Sequence, residues 1–271
     1  MKSCFLIILV SIFAVQCLNA QKEYSKNSLS FSIGPSIPVG SFAGTNLSNG
    51  SSGFAKIGES VNFSFDHRLN QHLVFTVMLS GQINRLNTNA LKTQLSEYPF
   101  FADFSSIGTR HYSNWVVDKK SWCLESLQMG ITEEIPFSNN DNLSFTGKIL
   151  CGATYAQLPL ISAQSFSDTS YATYIRRKAS AFAFSYLAGA GLKYKFKRKV
   201  YFLFDLNYFG AAQFTFKNVQ EGITATNEGI NVPGIYSFAN SVGPIVDDIR
   251  TGTVKQSIGS VIVNFGIELR L

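Results

Sequence analysis

Residues 181–217 read AFAFSYLAGAGLKYKFKRKVYFLFDLNYFGAAQFTFK, and this stretch decides the fold. In its first half Phe182, Phe184, Tyr186, Ala188, Ala190, Leu192, Tyr194 and Phe196 fall on one face. Ala183, Ser185, Leu187, Gly189, Gly191, Lys193 and Lys195 fall on the other. After a basic turn at residues 197–199, Val200, Phe202, Phe204, Leu206, Tyr208, Gly210, Ala212, Phe214 and Phe216 alternate with Tyr201, Leu203, Asp205, Asn207, Phe209, Ala211, Gln213, Thr215 and Lys217. Side chains repeat at period two only in a β-strand. Ordinary strands run to about 5 or 6 residues, whereas crossing a bilayer takes about 9 to 11. Both runs are long enough to cross.

Alternation alone leaves open which face is outside, since a soluble lipocalin-like carrier turns its apolar face inward and a membrane barrel turns it outward. The apolar face of the first run has aromatics toward both ends and Ala188 and Ala190 in the middle, the pattern of two interfacial girdles. The opposite face is mostly Gly, Ala and Ser with an occasional charge, which suits a narrow filled lumen. The stretch therefore reads as a transmembrane hairpin. Gly189-Ala190-Gly191 reads as small lumen residues and not as a phosphate loop, because no strand-to-helix context surrounds it.

Composition agrees. Of 271 residues 45% are apolar and 15% charged, with 24 Phe and 11 Tyr, against about 25% charged in an average globular domain. After the N-terminus no apolar run approaches the roughly 18 residues of a membrane helix, so strands must carry any crossing. Residues 1–20, with Lys2, an apolar run from Cys4 to Val15 and Leu18-Asn19-Ala20 before Gln21, read as a secretory signal peptide, leaving one barrel domain over residues 21–271. Loss of Lys2 takes the net charge from +6 to +5, a weak partner signal. Cys123 and Cys151 sit on consecutive predicted strands several residues out of register, which argues against a disulfide between them.

The remaining strands are read outward from the hairpin. Strand one has Leu29, Phe31, Ile33, Ile37 and Val39 on its apolar face, with Pro35 and Pro38 predicting a bulged upper half. Strand two covers residues 54–65 with Lys56, Ser60, Asn62 and Ser64 inward, and strand three covers residues 72–85. Strand four, residues 121–135, puts Glu125 and Glu133 on the apolar face, tolerable only near the headgroups. Strand five covers residues 143–157, and strand eight closes the chain. Residues 86–120, 158–178 and 218–253 read as long loops, and 66–71 and 136–142 as turns. The expected fold is all-β, an eight-stranded antiparallel up-and-down transmembrane barrel with short periplasmic turns and long extracellular loops.

Ser32-Ile33-Gly34-Pro35-Ser36-Ile37-Pro38-Val39-Gly40 at the start and Phe265-Gly266-Ile267-Glu268-Leu269-Arg270-Leu271 at the end make the chain resemble the small eight-stranded outer-membrane barrels of OmpA and OmpX type, specifically those of Bacteroidota. The resemblance covers the mature chain at the level of pattern. It implies a bacterial outer-membrane protein inserted by the barrel-assembly machinery and bathed in outer-membrane lipid and lipopolysaccharide. Members commonly end in an aromatic residue read by that machinery; this chain ends in Leu271.

A barrel of this size encloses just enough room for side chains. Inward charges must then pair, and Lys56, Lys148, Lys193, Lys195, Asp205, Glu134, Glu268 and Arg270 point inward. The core of the expected salt-bridge network is Lys148, Lys193, Asp205, Glu268, Arg270 and Glu134, with Lys193 meeting Asp205 diagonally across the hairpin. Arg110, Lys119, Lys120, Arg176, Arg177 and Lys178 gather at the outer rim, where they suit lipid phosphates or plain solubility. His111, near Asp103, Ser105, Ser106, Ser113 and Asp118, is a weak catalytic candidate. His67 and His72 flank a turn and read as turn residues; no metal site, cofactor or nucleic-acid surface is expected. The functional expectation is a non-enzymatic barrel whose loops bind an extracellular or envelope partner, glycolipid or ligand. Its alternatives are a lipid-modifying enzyme, a low-conductance channel of porin type, or a soluble carrier.

Overall fold

The computed structural model describes residues 26–47, 49–97, 114–118, 120–137, 142–167, 170–227 and 244–271. The expected signal peptide, Arg110, His111 and Lys119 lie outside the described residues. The strands are β1 (Asn27–Val39), β2 (Ala55–Arg68), β3 (Leu73–Leu86), β4 (Trp115–Val117), β5 (Ser121–Pro136), β6 (Leu143–Leu158), β7 (Ile161–Ser167), β8 (Ser170–Arg176), β9 (Ala179–Lys197), β10 (Val200–Asn227) and β11 (Pro244–Arg270). Among the described residues a 3-10 turn, Gly40–Phe42, follows β1 and one α-helix, α1 (Thr88–Ser96), follows β3; the Asn87 side chain caps α1 by accepting the Ala90 N–H.

β1, β2, β3, β5, β6, β9, β10 and β11 pair in that order, all antiparallel, and β11 returns to β1 with Ser28 opposite Arg270. The sheet is thus closed into an eight-stranded barrel. Closure follows from the length of the strands: an open edge of this size would leave a row of unpaired backbone groups, which lipid cannot solvate. The short turns between β2 and β3, β5 and β6, and β9 and β10 lie at the end that carries both ends of the ring strands. The long connections lie at the other.

Several expectations are corrected. β1 passes through both prolines without a register shift: Pro35 lies opposite Glu59 of β2, whose pairing ends at Ser36, and Pro38 lies opposite Ser260 of β11. Each N–H in an antiparallel strand serves one neighbour only, so a proline removes one rung and leaves the rest. The irregularity sits instead in β2, between Ala55 and Gly58. That bulge inverts the alternation above it, so Lys56 is exposed and does not point inward.

Residues 218–253 are not simply a loop. β10 and β11 continue pairing as far as Thr226 opposite Pro244, well above the barrel. β8 adds to this extension along β10, β7 adds to β8, and β4 adds to β7. Phe54, Leu86, Leu91, Leu95, Trp115, Val117 and Tyr174 form an apolar core of their own between this extension, α1 and the loop after β1.

β10 changes phase twice on the way up. Register shifts fall between Ala211 and Phe214 and between Phe216 and Val219, and Asn218 takes a positive φ of 55°. Each bulge inserts a residue and turns the following side chains to the other face. Phe214 and Phe216, expected outward, are therefore fully buried inside.

Candidate functional site

Around the ring, Phe31, Ile33, Val61, Leu127, Ile131, Ile149, Phe184, Leu206, Phe265 and Ile267 lie exposed on the outer face. Rings pair at both margins of this belt, Phe196 with Phe202 at 5.2 Å near the turns and Tyr155 with Phe182 at 4.9 Å near the loops. Glu125 and Glu133 are exposed on the same face, as expected. No described helix is long and apolar enough to cross a membrane.

The interior is polar. Ser32, Ser36, Ser60, Asn62, Gln82, Asn84, Gln128, Asn207 and Asn264 are all buried. Near the turns the lumen is floored by ion pairs. The Glu134 carboxylate accepts from Arg68 Nη2 at 2.5 Å, Lys193 Nζ at 3.3 Å and Arg270 Nη2 at 3.3 Å. Lys193 also reaches the Glu268 carboxylate at 2.6 Å, and the Tyr201 ring lies under both Lys193 and Arg270. Lys148 pairs with Asp205 at 3.0 Å. All members of the expected network are thus brought together, but the pairing differs: Lys193 goes to Glu134 and Glu268, and Asp205 goes to Lys148 and not to Lys193. The reason is room. Thr146 Oγ1 and Asp205 Oδ1 crowd the space above Gly191, where no side chain intervenes, so Asp205 turns toward β6 and its lysine.

Sequence reading missed Arg68 and Asp66, because it ended strand two at Phe65. Extending the alternation 60, 62, 64 by two more steps finds them. Asp66 accepts a hydrogen bond from Thr76 Oγ1 at 2.6 Å. Free space in this lower lumen is about 50 Å³, room for very little water.

Above the ions Met78, Leu150 and Leu187 meet in the middle. Higher still, Ser36 Oγ donates to Gln82 Oε1 at 3.1 Å, and the Asn84 side chain donates to the Lys56 carbonyl at 3.1 Å. Phe42, Trp122, Phe209, Phe214 and Phe216 then form an aromatic roof, with the Phe42 and Trp122 rings 5.4 Å apart edge to face. An apolar belt outside and a filled polar lumen inside invert the arrangement of a soluble carrier. This is a membrane-spanning β-barrel of outer-membrane architecture.

The barrel's short turns are therefore periplasmic, and the extension built on β10 and β11 is extracellular. No family model matches the chain, and no curated protein matches it. Among solved structures it is similar to Neisserial surface protein A, with 12% identity over 92% of this chain and 100% of that one and a TM-score of 0.38. It is also similar to a major outer membrane protein of Thermus thermophilus (12% identity, 90% and 99% covered, TM-score 0.43) and to the attachment invasion locus protein Ail of Yersinia pestis (14%, 90% and 99%, TM-score 0.36). At such values the likeness carries no argument about ligand or activity; the belt and lumen of the barrel itself decide the fold.

The outer-rim cations separate. Arg177 and Lys178 are exposed between β8 and β9, and Lys120 is exposed just before β5. Arg176 points the other way, into the extension, because it shares the inward face of β8 with Tyr174. His67 Nδ1 bonds Asn27 Oδ1 at 2.7 Å and His72 Nδ1 bonds the Glu134 carbonyl at 3.1 Å, both at the periplasmic end. Cys123 faces Gln157 and Cys151 faces Met129, so the two thiols stand on different rungs. Among the described residues no group of His, Cys, Asp and Glu could hold a metal ion.

Proposed function

We propose that the protein is a non-enzymatic outer-membrane barrel with a closed lumen, whose work is binding at its extracellular end. The observation that carries this reading is the division of the molecule. The lumen is filled at three levels, by ions, by Met78 with Leu150 and Leu187, and by aromatics. The chain meanwhile invests β4, β7, β8, α1 and the upper parts of β10 and β11 in a separately packed outer platform. Loops on a rigid scaffold are where binding residues concentrate. In this reading Lys120, Arg177 and Lys178, with Arg110 and Lys119, meet lipid phosphates at the rim, and the barrel-assembly machinery inserts the chain.

Two measurements test it together. Purified protein in planar bilayers should give no discrete openings, and cells carrying the wild type and His111→Ala should yield the same lipid A profile by mass spectrometry. Discrete openings would make the protein a channel. A profile that changes with His111 would make it an enzyme.

A further inference from the structure

Between the loop after β1 and the upper parts of β10 and β11 lies a cavity of about 390 Å³, within the range of small-ligand sites. Asn49, Ser51 and Ser52 line it from the loop, Gln213 from β10, Lys255 from β11 and Arg176 from β8. Arg176 is only 7% exposed. Its Nε and Nη2 are buried with no hydrogen-bond partner among the described residues. Glu221 stands directly opposite it on β10 but makes no ion pair with it among the described residues, and instead accepts a hydrogen bond from the Tyr174 hydroxyl.

A buried guanidinium with two of its three nitrogens unsatisfied is a costly arrangement that folded proteins rarely keep. Its planar fork of N–H donors matches a carboxylate or a phosphate in two parallel hydrogen bonds. Lys255 adds a second positive charge, and the one carboxylate in the lining, Glu221, is already engaged by the Tyr174 hydroxyl; hydroxyls and amides make up much of the rest, with Leu47, Phe54 and Val254 as apolar faces. Such a lining suits a hydroxylated ligand bearing one oxyanion. We propose that this cavity binds an acidic sugar, carboxylated or phosphorylated, with Arg176 holding the oxyanion, Lys255 assisting and the loop residues 49–52 meeting the hydroxyls. The proposal rests on the reading that the extracellular end is the binding end, and narrows it to a ligand class. Arg177 and Lys178, although adjacent, take no part, since both are exposed and neither lines the cavity.

The test uses the full chain folded in detergent. Trp122 donates to the Gly53 carbonyl at 2.8 Å, between two lining residues, so its fluorescence follows the cavity wall. Titration with glucuronate and with glucose 6-phosphate should give a saturable change with at least one of them, and neutral glucose should give none. Arg176→Gln should weaken binding by about tenfold or more, Arg176→Lys by less, and Lys255→Gln by a few-fold. No saturable response to either acid, an equal response to glucose, or undiminished binding by Arg176→Gln would overturn the site. If Arg176→Gln does not fold, as judged by loss of heat-modifiability, Lys255→Gln and a salt series decide. Affinity unmoved by both would overturn the proposal.

Binding of an acylated glycolipid but not of its free, deacylated oligosaccharide would also overturn it, and would move the anion to the lipid-facing cations. Failure here with silent bilayer recordings leaves the broader reading standing, whereas discrete openings would remove that reading whatever the sugars do.

Discussion

Glu134 is the residue on which the periplasmic floor depends, because one carboxylate faces the side chains of Arg68, Lys193 and Arg270. Glu134→Gln keeps its shape and removes its charge, leaving Arg68 without its carboxylate and Lys193 and Arg270 with Glu268 alone. Removing one partner of a buried pair costs about 3 to 5 kcal/mol, since the remaining charge stays desolvated. The variant should unfold at markedly lower urea in micelles than the wild type. An unchanged midpoint would mean that water, not Glu134, compensates these cations. A second residue-scale case is Gly191. A Cβ there would run into Asp205 Oδ1 and the Phe204 carbonyl, so Gly191→Val should push Asp205 off Lys148 and destabilise by about 1 to 3 kcal/mol. In the same unfolding assay Lys148→Met should then add little to Gly191→Val, because the pair is already broken. The members of this network were legible in the sequence, as period two fixes which side chains point inward. Who pairs with whom was not, because that depends on lateral room across the lumen. Arg176 shows the same limit: the run Arg176-Arg177-Lys178 reads as one basic cluster, yet alternation sends its first member inside.

At the scale of elements, the instructive strand is β10. Its alternation predicts Phe214 and Phe216 in lipid, and the bulge between Ala211 and Phe214 turns them into the aromatic roof, with Trp122 6.2 Å from Phe216. The difference can be measured. Replacing a fully buried Phe by Ala typically costs about 3 to 5 kcal/mol. Phe214→Ala and Phe216→Ala should therefore each lower the unfolding midpoint strongly and change the near-UV signal of Trp122. Equal tolerance of Phe214→Ala and Ala212→Gly would place Phe214 outside after all. The eight ring strands were readable because each keeps one phase across the membrane. The extension was not, for a physical reason: a bulge breaks the count, so beyond Ala211 the apolar residues no longer follow the face they began on. Bulges are set by how a strand must twist against its neighbour, which a single run of sequence does not display.

At the scale of the whole molecule two structures share one pair of strands. β10 is 28 residues long, while a crossing needs about 9 to 11. The lower part of β10 pairs with β9 from Val200 to Ala211 and closes the barrel with β11, and the upper part supports β8, β7 and β4. Neither the ring register nor the ionic floor uses any residue above Val219. The apolar belt should make the ring fold in detergent, with a mobility shift between boiled and unboiled samples and a β-rich circular dichroism spectrum. In plain buffer the same chain should precipitate, because so large an exposed apolar face has no solvent there. Replacing residues 220–251 by a short turn should then keep the mobility shift. The same change should expose the segment 158–178 to protease, since β8 loses the strand it pairs with. It should also abolish any response to acidic sugars, as Glu221 and the wall beside Arg176 go with it. A trimmed chain that no longer shows the shift would mean that the outer platform nucleates the barrel. In that case the ring and the platform would be a single folding unit, and the separation of a closed membrane span from an extracellular binding end would hold for function but not for stability.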